Sequence, residues 1–304
     1  MLQQAHPTPA MPDNRLIDGR AVQQRILDEV RADTEKFADE GHPVGRLVSI
    51  SIGDVAEVDV YIRNQQRAAE KCGIPFEKLN WSKDISQDGC KAALLEMNDR
   101  PDVLGVILQR PVPDHINLRS LQSAIHPLKD VEGMNPASIV NIVYNDIALA
   151  PCTAAAAVEL IRETGLKMEG LEVVMIGHSE IVGKPAAMML MAEGATVTVC
   201  HHMTRSVAMH SRRADVIVVA VGKAHLVGPD MVRPGAAVID IGINQINDGE
   251  GGKRIVGDVD TDAVKDVASW VTPVPGGVGP VTVALLMRNA VTARQRQLEQ
   301  GWVE

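Results

Sequence analysis

The second half of the chain carries the strongest constraint on its fold. Five short runs rich in β-branched residues recur there: LEVVMIG (171–177), ATVTVCH (195–201), ADVIVVAVG (214–222), AAVIDIGIN (236–244) and SWVTPV (269–274). Helix-compatible or loop segments such as GKPAAMMLMAEG separate them. Strands with one wet face alternate apolar and polar residues, whereas nearly continuous apolar runs belong to strands covered on both faces. Such strands, joined by crossover connections, make a parallel sheet, so the pattern predicts a Rossmann-like, doubly wound α/β domain over residues 151–279.

The first half mixes strand and helix signals. RAVQQRILDEVRADTEKFADEG places Val22, Ile26 and Val30 at helical spacing and stops at Gly41. RLVSISIG reads as a strand, VYIRNQQRAAEKCG as a helix ending at Gly73, and DVLGVILQRPVP as a buried strand running into a proline-stiffened loop. A chain of 304 residues exceeds what a single core usually serves. These elements therefore predict an N-terminal α/β domain over residues 15–150, completed by an amphipathic helix within 280–304 that packs back on it. Residues 1–14 read as a disordered extension, with no basic segment followed by an apolar one as in a secretory signal.

Several partner classes are excluded. A formal charge of −9 does not suit a chain that neutralises a phosphate backbone, and three Trp, two Tyr and two Phe make no stacking platform for bases. No apolar run is long enough to cross a bilayer. Cys72, Cys90, Cys152 and Cys200 form no C-x-x-C pair and read as buried thiols of a cytoplasmic protein. The expected partner is a small molecule, not nucleic acid or membrane.

Directly after the first of the five runs stands Gly177-His178-Ser179-Glu180-Ile181-Val182-Gly183-Lys184-Pro185. A glycine at a strand end allows a tight turn, and exposed N–H groups at the positive end of the next helix can hold a pyrophosphate. The spacing is weaker evidence than G-x-G-x-x-G, and a plain structural turn is the alternative. About 20 residues further on, an Asp or Glu would bond a ribose 2′-hydroxyl and select NAD. Here Cys200-His201-His202-Met203-Thr204-Arg205-Ser206 holds no carboxylate. His202, Arg205 and the hydroxyls of Thr204 and Ser206 can receive a 2′-phosphate, so NADP is expected, with NAD the alternative. No metal site is expected, because adjacent residues such as His201 and His202 face opposite ways along a strand.

Six motifs, HPLKDVEGMNP (126–136), PCT (151–153), GHSEIVGKP (177–185), VIDIGIN (238–244), VGDVD (256–260) and TPVPGGVGPVTVALL (272–286), follow one another in this order. Together they resemble the methylenetetrahydrofolate dehydrogenase/methenyltetrahydrofolate cyclohydrolase family, over essentially the whole chain from Leu16. The resemblance implies a two-domain α/β homodimer, with folate in the cleft between the domains and NADP, or in some members NAD, on the second. It implies two reactions: oxidation of 5,10-methylenetetrahydrofolate by hydride transfer to nicotinamide, then hydration of the methenyl product to 10-formyltetrahydrofolate. Its catalytic positions fall on Tyr61, Gln65, Gln109 and Glu132, and its substrate contacts on Tyr61, Gln109, Glu132, Pro275, Gly276 and Gly277. Its cofactor contacts fall on Gly177, His178, Ser179, Ile181, Val182, His202, Arg205, Ile243 and Thr282.

The folate half departs from the family pattern. The lysine of Tyr-x-x-x-Lys is Gln65, the second aspartate of Lys-Asp-Val-Asp-Gly is Glu132, Pro-Ala-Ser has become Ala56-Glu57-Val58, and Pro-Cys-Thr-Pro-x-Gly ends at Ala156. Hydride transfer asks for alignment, whereas hydration asks for a group that trades protons, and an amide cannot titrate. The expectation is an NADP-dependent dehydrogenase with weak or lost cyclohydrolase. The alternatives are a bifunctional enzyme and a binding paralogue with altered substrate. Lys71 and Arg67 are poor replacements for the lysine, and Lys129 and Asp130 are expected to be structural.

Overall fold

The computed structural model describes residues 16–247 and 252–303. They fall into two compact units, one comprising Ala21–Ala155 with Val281–Glu304, the other Ala156–Pro280 with the described part of Met1–Arg20. The extension expected over residues 1–14 lies outside the described residues.

In the first unit α1 (Gly19–Asp39) buries Val22, Ile26 and Val30 along one stripe, as a helical spacing of four dictates. There follow β1 (Arg46–Ile52), α2 (Ala56–Lys71), β2 (Phe76–Trp81), α3 (Gln87–Asp99) and β3 (Val103–Leu108), and the strands pair in parallel in the order β2-β1-β3. Val48, Ile50, Val106 and Leu108 pack with Cys90 and Leu94 of α3 in the core. FEKLNW was not expected as a strand. β2 is a half-exposed sheet edge carrying Glu77 and Lys78, the charged kind of edge that resists further pairing but lacks an apolar signature.

Beyond β3 come α4 (Leu118–Gln122), α5 (Pro136–Val143) and α6 (Cys152–Glu163). The segment before α5 runs beside β3, bridging Val106 to Asp130. Gly105 permits this approach, since a Cβ there would lie 2.2 Å from Val131 Cγ1.

The second unit holds β4 (Glu172–Ile176), α7 (Gly183–Ala192), β5 (Thr196–Cys200), α8 (Val207–Ser211), β6 (Val216–Val219), β7 (Ala237–Asp240), β8 (Asn244–Asn247), β9 (Lys253–Val256), α9 (Thr261–Val264) and β10 (Trp270–Val271). Five strands form the predicted all-parallel sheet, ordered β10-β7-β6-β4-β5. Valines and isoleucines of β4, β6 and β7 are buried throughout, as two-sided coverage requires. The strand order turns back between β4 and β6, and ligands of open α/β sheets bind outside the strand carboxyl ends at such a point.

AAVIDIGIN is not one strand. β7 ends at Asp240, and Asn244 opens the antiparallel pair β8–β9. The domain limits also shift from 15–150 and 151–279. Ile17 N–H donates to Val271 O (2.9 Å) and Leu16 bridges Val271, so residues 16–17 extend the β10 edge and residues 16–20 belong to the second unit. Residues 151–155 belong to the first unit, where buried Cys152 donates to Val131 O.

α10 (Val278–Glu299) is the expected C-terminal helix, and from Val281 onward it packs with the first unit. Buried polar side chains hold it there. Asn289 donates to the carbonyls of Val131 and Ala150, Gln297 to those of Leu104 and Leu128, and Arg294 to that of Pro43, each at 2.8–2.9 Å. No described helix is long and apolar enough to cross a membrane.

Candidate active site

On α2, Tyr61 and Gln65 are four residues apart and share a helix face. Gln65 Oε1 accepts a 2.7 Å bond from Gln109 Nε2, whose other hydrogen goes to Ser49 Oγ at 2.9 Å. Gln109 stands just past the carboxyl end of β3, its own N–H fixed to Ile50 O, and is only 7% exposed. Three elements thus converge on one carboxamide tether. Tyr61 is 55% exposed, so it is available to a ligand and is not a core tyrosine.

Glu132 joins the same strand end. Its Oε2 accepts the Leu108 N–H at 2.9 Å, and burial pushes its carboxyl up to about 7 against the opposing pull of Arg110. It bonds a backbone amide with one oxygen and leaves the other for a ligand. Asp130 is the loop-fixing carboxylate it was expected to be. It accepts from Met134 N, Asn135 N and Ser138 Oγ at 2.6–3.1 Å, and burial raises its pKa. Lys129 is structural too, since its Nζ is bonded to Met97 O and Arg100 O and burial lowers it to about 8. Lys71 and Arg67 are exposed residues of α2 outside the tether.

In the second unit the loop after β4 is shaped by backbone. Gly177 has φ +113°, and a Cβ on it would lie 2.2 Å from Ala220 O. A Cβ on Gly183 would lie 2.2 Å from Gly177 O. Ser179 Oγ accepts from Val182 N and Gly183 N, opening α7, while His178, Ser179 and Ile181 are exposed. A bare backbone cradle at a helix N-terminus, placed at the sheet's switch point, fits a dinucleotide phosphate. Ile243 (58% exposed) and the run Pro275-Gly276-Gly277 also lie in this unit, with Gly276 at φ +111°. Thr282 differs from the other expected cofactor contacts, because it falls on α10 in the part that packs with the first unit.

The turn after β5 corrects the reasoning about histidines. β5 ends at Cys200, so strand alternation no longer governs His201 and His202. His201 N donates to Thr204 Oγ1, Thr204 N to His201 O, and Met203 N to His201 Nδ1, at 2.8–3.1 Å. The turn brings both rings to His178, with centroids 4.6 Å away for His201 and 6.3 Å for His202. Arg205 is exposed in the same turn, and Ser206 Oγ caps α8 by accepting from Met209 N. No described carboxylate belongs to this histidine cluster.

Some functional residues gave no sequence signal of their own. Ser49 looks like any serine in a strand until Gln109 reaches it. Asn289 supports the carbonyl just before Glu132 from a helix 158 residues away in sequence. Asp240 and Asp258, inside quoted motifs, organise the loops past β6 and β7. Asp240 accepts from Gly242 N, Asp258 N and Val259 N, and Asp258 from Val221 N, Gly222 N and Lys223 N, all at 2.7–3.0 Å. Burial pushes Asp240 up to about 6. Two carboxylates standing within two residues of a glycine in those motifs were the available clue.

A doubly wound sheet with a phosphate-type loop in one unit, and a carboxamide and carboxylate site in a second α/β unit, define a dinucleotide-binding α/β protein. Residues 17–132 match the catalytic domain, and residues 151–298 the NAD(P)-binding domain, of tetrahydrofolate dehydrogenase/cyclohydrolase. The chain belongs to the tetrahydrofolate dehydrogenase/cyclohydrolase family, and its second unit is that family's NAD(P)-binding domain. It is 76% identical over 292 residues to "Bifunctional protein FolD 3" of Roseobacter denitrificans, spanning 96% of this chain and 99% of the relative. It is 72% identical to "Bifunctional protein FolD" of Rhodobacter capsulatus, spanning 96% and 97%. Among solved structures, the bifunctional dehydrogenase/cyclohydrolase of Campylobacter jejuni superposes with a TM-score of 0.88 at 36% identity, covering 92% of this chain and 99% of that one. The Trypanosoma brucei enzyme, complexed with NADP cofactor and an inhibitor, does so at 0.88 and 34%, covering 95% and 99%.

Proposed function

We propose that this chain oxidises 5,10-methylenetetrahydrofolate with NADP and then hydrates the methenyl product to 10-formyltetrahydrofolate. The observation that carries the reading is the Gln65–Gln109–Ser49 tether with Glu132 at the same strand end, in a chain whose 76%-identical relative is named bifunctional. That name favours the bifunctional alternative over the expected loss of cyclohydrolase. Bound NADP supplies a hydride acceptor, and the chain's own residues hold the folate. Tyr61 offers an exposed ring to it, and Glu132 an acceptor for amino or amide hydrogens. In the hydration step water adds to the methenyl carbon and loses one proton; the resulting hydroxyl then gives up its second proton to become the formyl C=O as the bond from that carbon to N5 breaks, and N5 keeps the electron pair and takes up a proton. Gln65, fixed by Gln109, orients that water by donating or accepting a hydrogen bond. NADP is supported over NAD by the lack of a carboxylate after β5 and by the exposed Arg205 and His202. Four buried free thiols support a reducing compartment. We further infer a homodimer, a state that light scattering on the purified chain measures.

A second reading, a dehydrogenase with slow hydration, is favoured by one observation: Gln65 cannot trade protons. One assay separates the two. Purified protein is given methylenetetrahydrofolate with NADP or NAD, and reduced nicotinamide and methenyl absorbance are followed independently. Under the bifunctional reading reduced cofactor appears while methenyl stays low, and supplied methenyltetrahydrofolate disappears well above its spontaneous rate. Methenyl accumulating in step with reduced cofactor would establish the second reading, and no reduced cofactor at all would overturn both.

A further inference from the structure

One cluster of titratable side chains at the cofactor loops offers a ligand set that dinucleotide binding does not require. His178, from the loop after β4, and His201 and His202, from the turn after β5, each offer a ring nitrogen, and these three atoms lie within 4.8 Å of one another. The His201 ring is tilted by 49° to that of His178 and by 57° to that of His202, whose centroid is 5.8 Å away, while the His178 and His202 rings lie within 24° of parallel. His178 and His202 are exposed and His201 is half-buried, which leaves the cluster open to an ion from solvent.

We propose that His178, His201 and His202 bind one divalent transition-metal ion of the zinc class, and that its occupancy excludes NADP. Imidazole nitrogens select zinc, nickel, copper or cobalt over calcium or magnesium, which want oxygen ligands, and the cluster contains no carboxylate. Cys200 does not join it, because its side chain is buried and, among the described residues, only the three histidines bring ligand atoms together. Three protein ligands leave one tetrahedral position open to water or an anion. The two loops are separately fixed, Gly177 N–H to Cys200 O tying one to the other at 2.8 Å, so the ligand set is largely pre-assembled. His201 Nδ1 accepts from Met203 N–H, and ligation through that atom exchanges one backbone hydrogen bond for a metal bond.

The exclusion follows from position. His178 belongs to the phosphate cradle and His202 stands where a 2′-phosphate is expected, so lone pairs given to a metal are lost to the cofactor. This half rests on the cofactor reading, whereas metal binding itself does not.

The test uses the full chain without a polyhistidine tag, stripped by chelator, and titrated with Zn²⁺ calorimetrically and with Co²⁺ by visible absorbance. One ion per chain is expected, with each of His178→Ala, His201→Ala and His202→Ala weakening binding by about tenfold or more. NADP should raise the apparent dissociation constant for Zn²⁺ as its concentration increases. Absence of saturable binding, or binding that survives the triple alanine variant in a chain with an unchanged circular dichroism spectrum, would overturn the site. Binding that depends on the histidines yet is indifferent to NADP would overturn the exclusion, provided NADP binds the metal-free chain. Failure of NADP to bind the metal-free chain would instead sink the cofactor reading.

Discussion

The two units build their sites from different material. In the cofactor unit the shape is written in backbone: Gly177 and Gly183 approach carbonyls so closely that no side chain fits, and Asp240 and Asp258 grip six amide N–H groups between them. In the catalytic unit the site is written in side chains, with Gln65, Gln109 and Glu132 projecting from a rigid frame. A backbone site leaves little room for substitution, because a new Cβ collides with main chain. A side-chain site can exchange one head group for another while the frame stays put. That contrast explains why the departures from the family pattern cluster in the folate half.

The hardest attempt to break the comparison is Asp240→Ala. It would strand three buried amides at about 1 kcal/mol or more apiece, so a loss of stability on the order of 3 kcal/mol is expected, visible in denaturant unfolding. If the loops past β7 tolerate this loss, the cofactor site is not fixed by its backbone in the way described. Next in size is Gly183→Ala. Its Cβ must displace the Gly177 carbonyl, and overpacking of this kind costs about 1–3 kcal/mol. The affinity for NADP should fall roughly tenfold to a hundredfold, as read by cofactor fluorescence, with a smaller effect on folate binding. Equal losses for both ligands would erase the distinction between the units.

The corresponding change in the catalytic unit should be milder. Gln65→Ala removes an acceptor from Gln109 and an orienting group for water, at about 1 kcal/mol. Hydration of methenyltetrahydrofolate should slow by roughly fivefold to tenfold, more than hydride transfer does, in single-turnover assays of each step. A proportionate fall in both steps would show that Gln65 serves general folding or folate binding, not the water.

How much was legible beforehand follows from the same division. The parallel sheet was readable because β4, β6 and β7 are apolar on both faces, and the phosphate loop because glycine at a strand end has few uses. β2 escaped notice because an edge strand with Glu77 and Lys78 carries neither periodicity nor continuous apolarity. β8 was absorbed into β7, since nothing apolar stops at Asp240; the chain turns there because Asp240 collects the amides that follow it. The histidine cluster was dismissed on strand geometry that stops at Cys200, one residue too early. Ser49 and Asn289 could not be found from sequence at all, because their roles depend on partners 60 and 158 residues away.

The test most diagnostic of a side-chain site concerns one proton. Burial lifts the Glu132 carboxyl from the ordinary value near 4.5 to about 7. A folate ring offering donors wants the ionised form, so kcat/KM for methylenetetrahydrofolate should rise through about pH 7 and level off above it. Glu132→Gln should flatten that rise while keeping an oxygen for the Leu108 amide. Stability should move the other way. An acid whose pKa is raised by folding favours the native state below its unfolded pKa and loses that contribution as pH climbs through its folded one. At pH 8 the native chain holds a buried charge that the unfolded chain would give to water, and near pH 4.5 that difference has gone. Glu132→Gln should therefore raise the melting temperature at pH 8 and leave it unchanged near pH 4.5. A variant that is no more stable than the parent at pH 8 would mean that Glu132 is not desolvated, and the kinetic inflection would then need another owner.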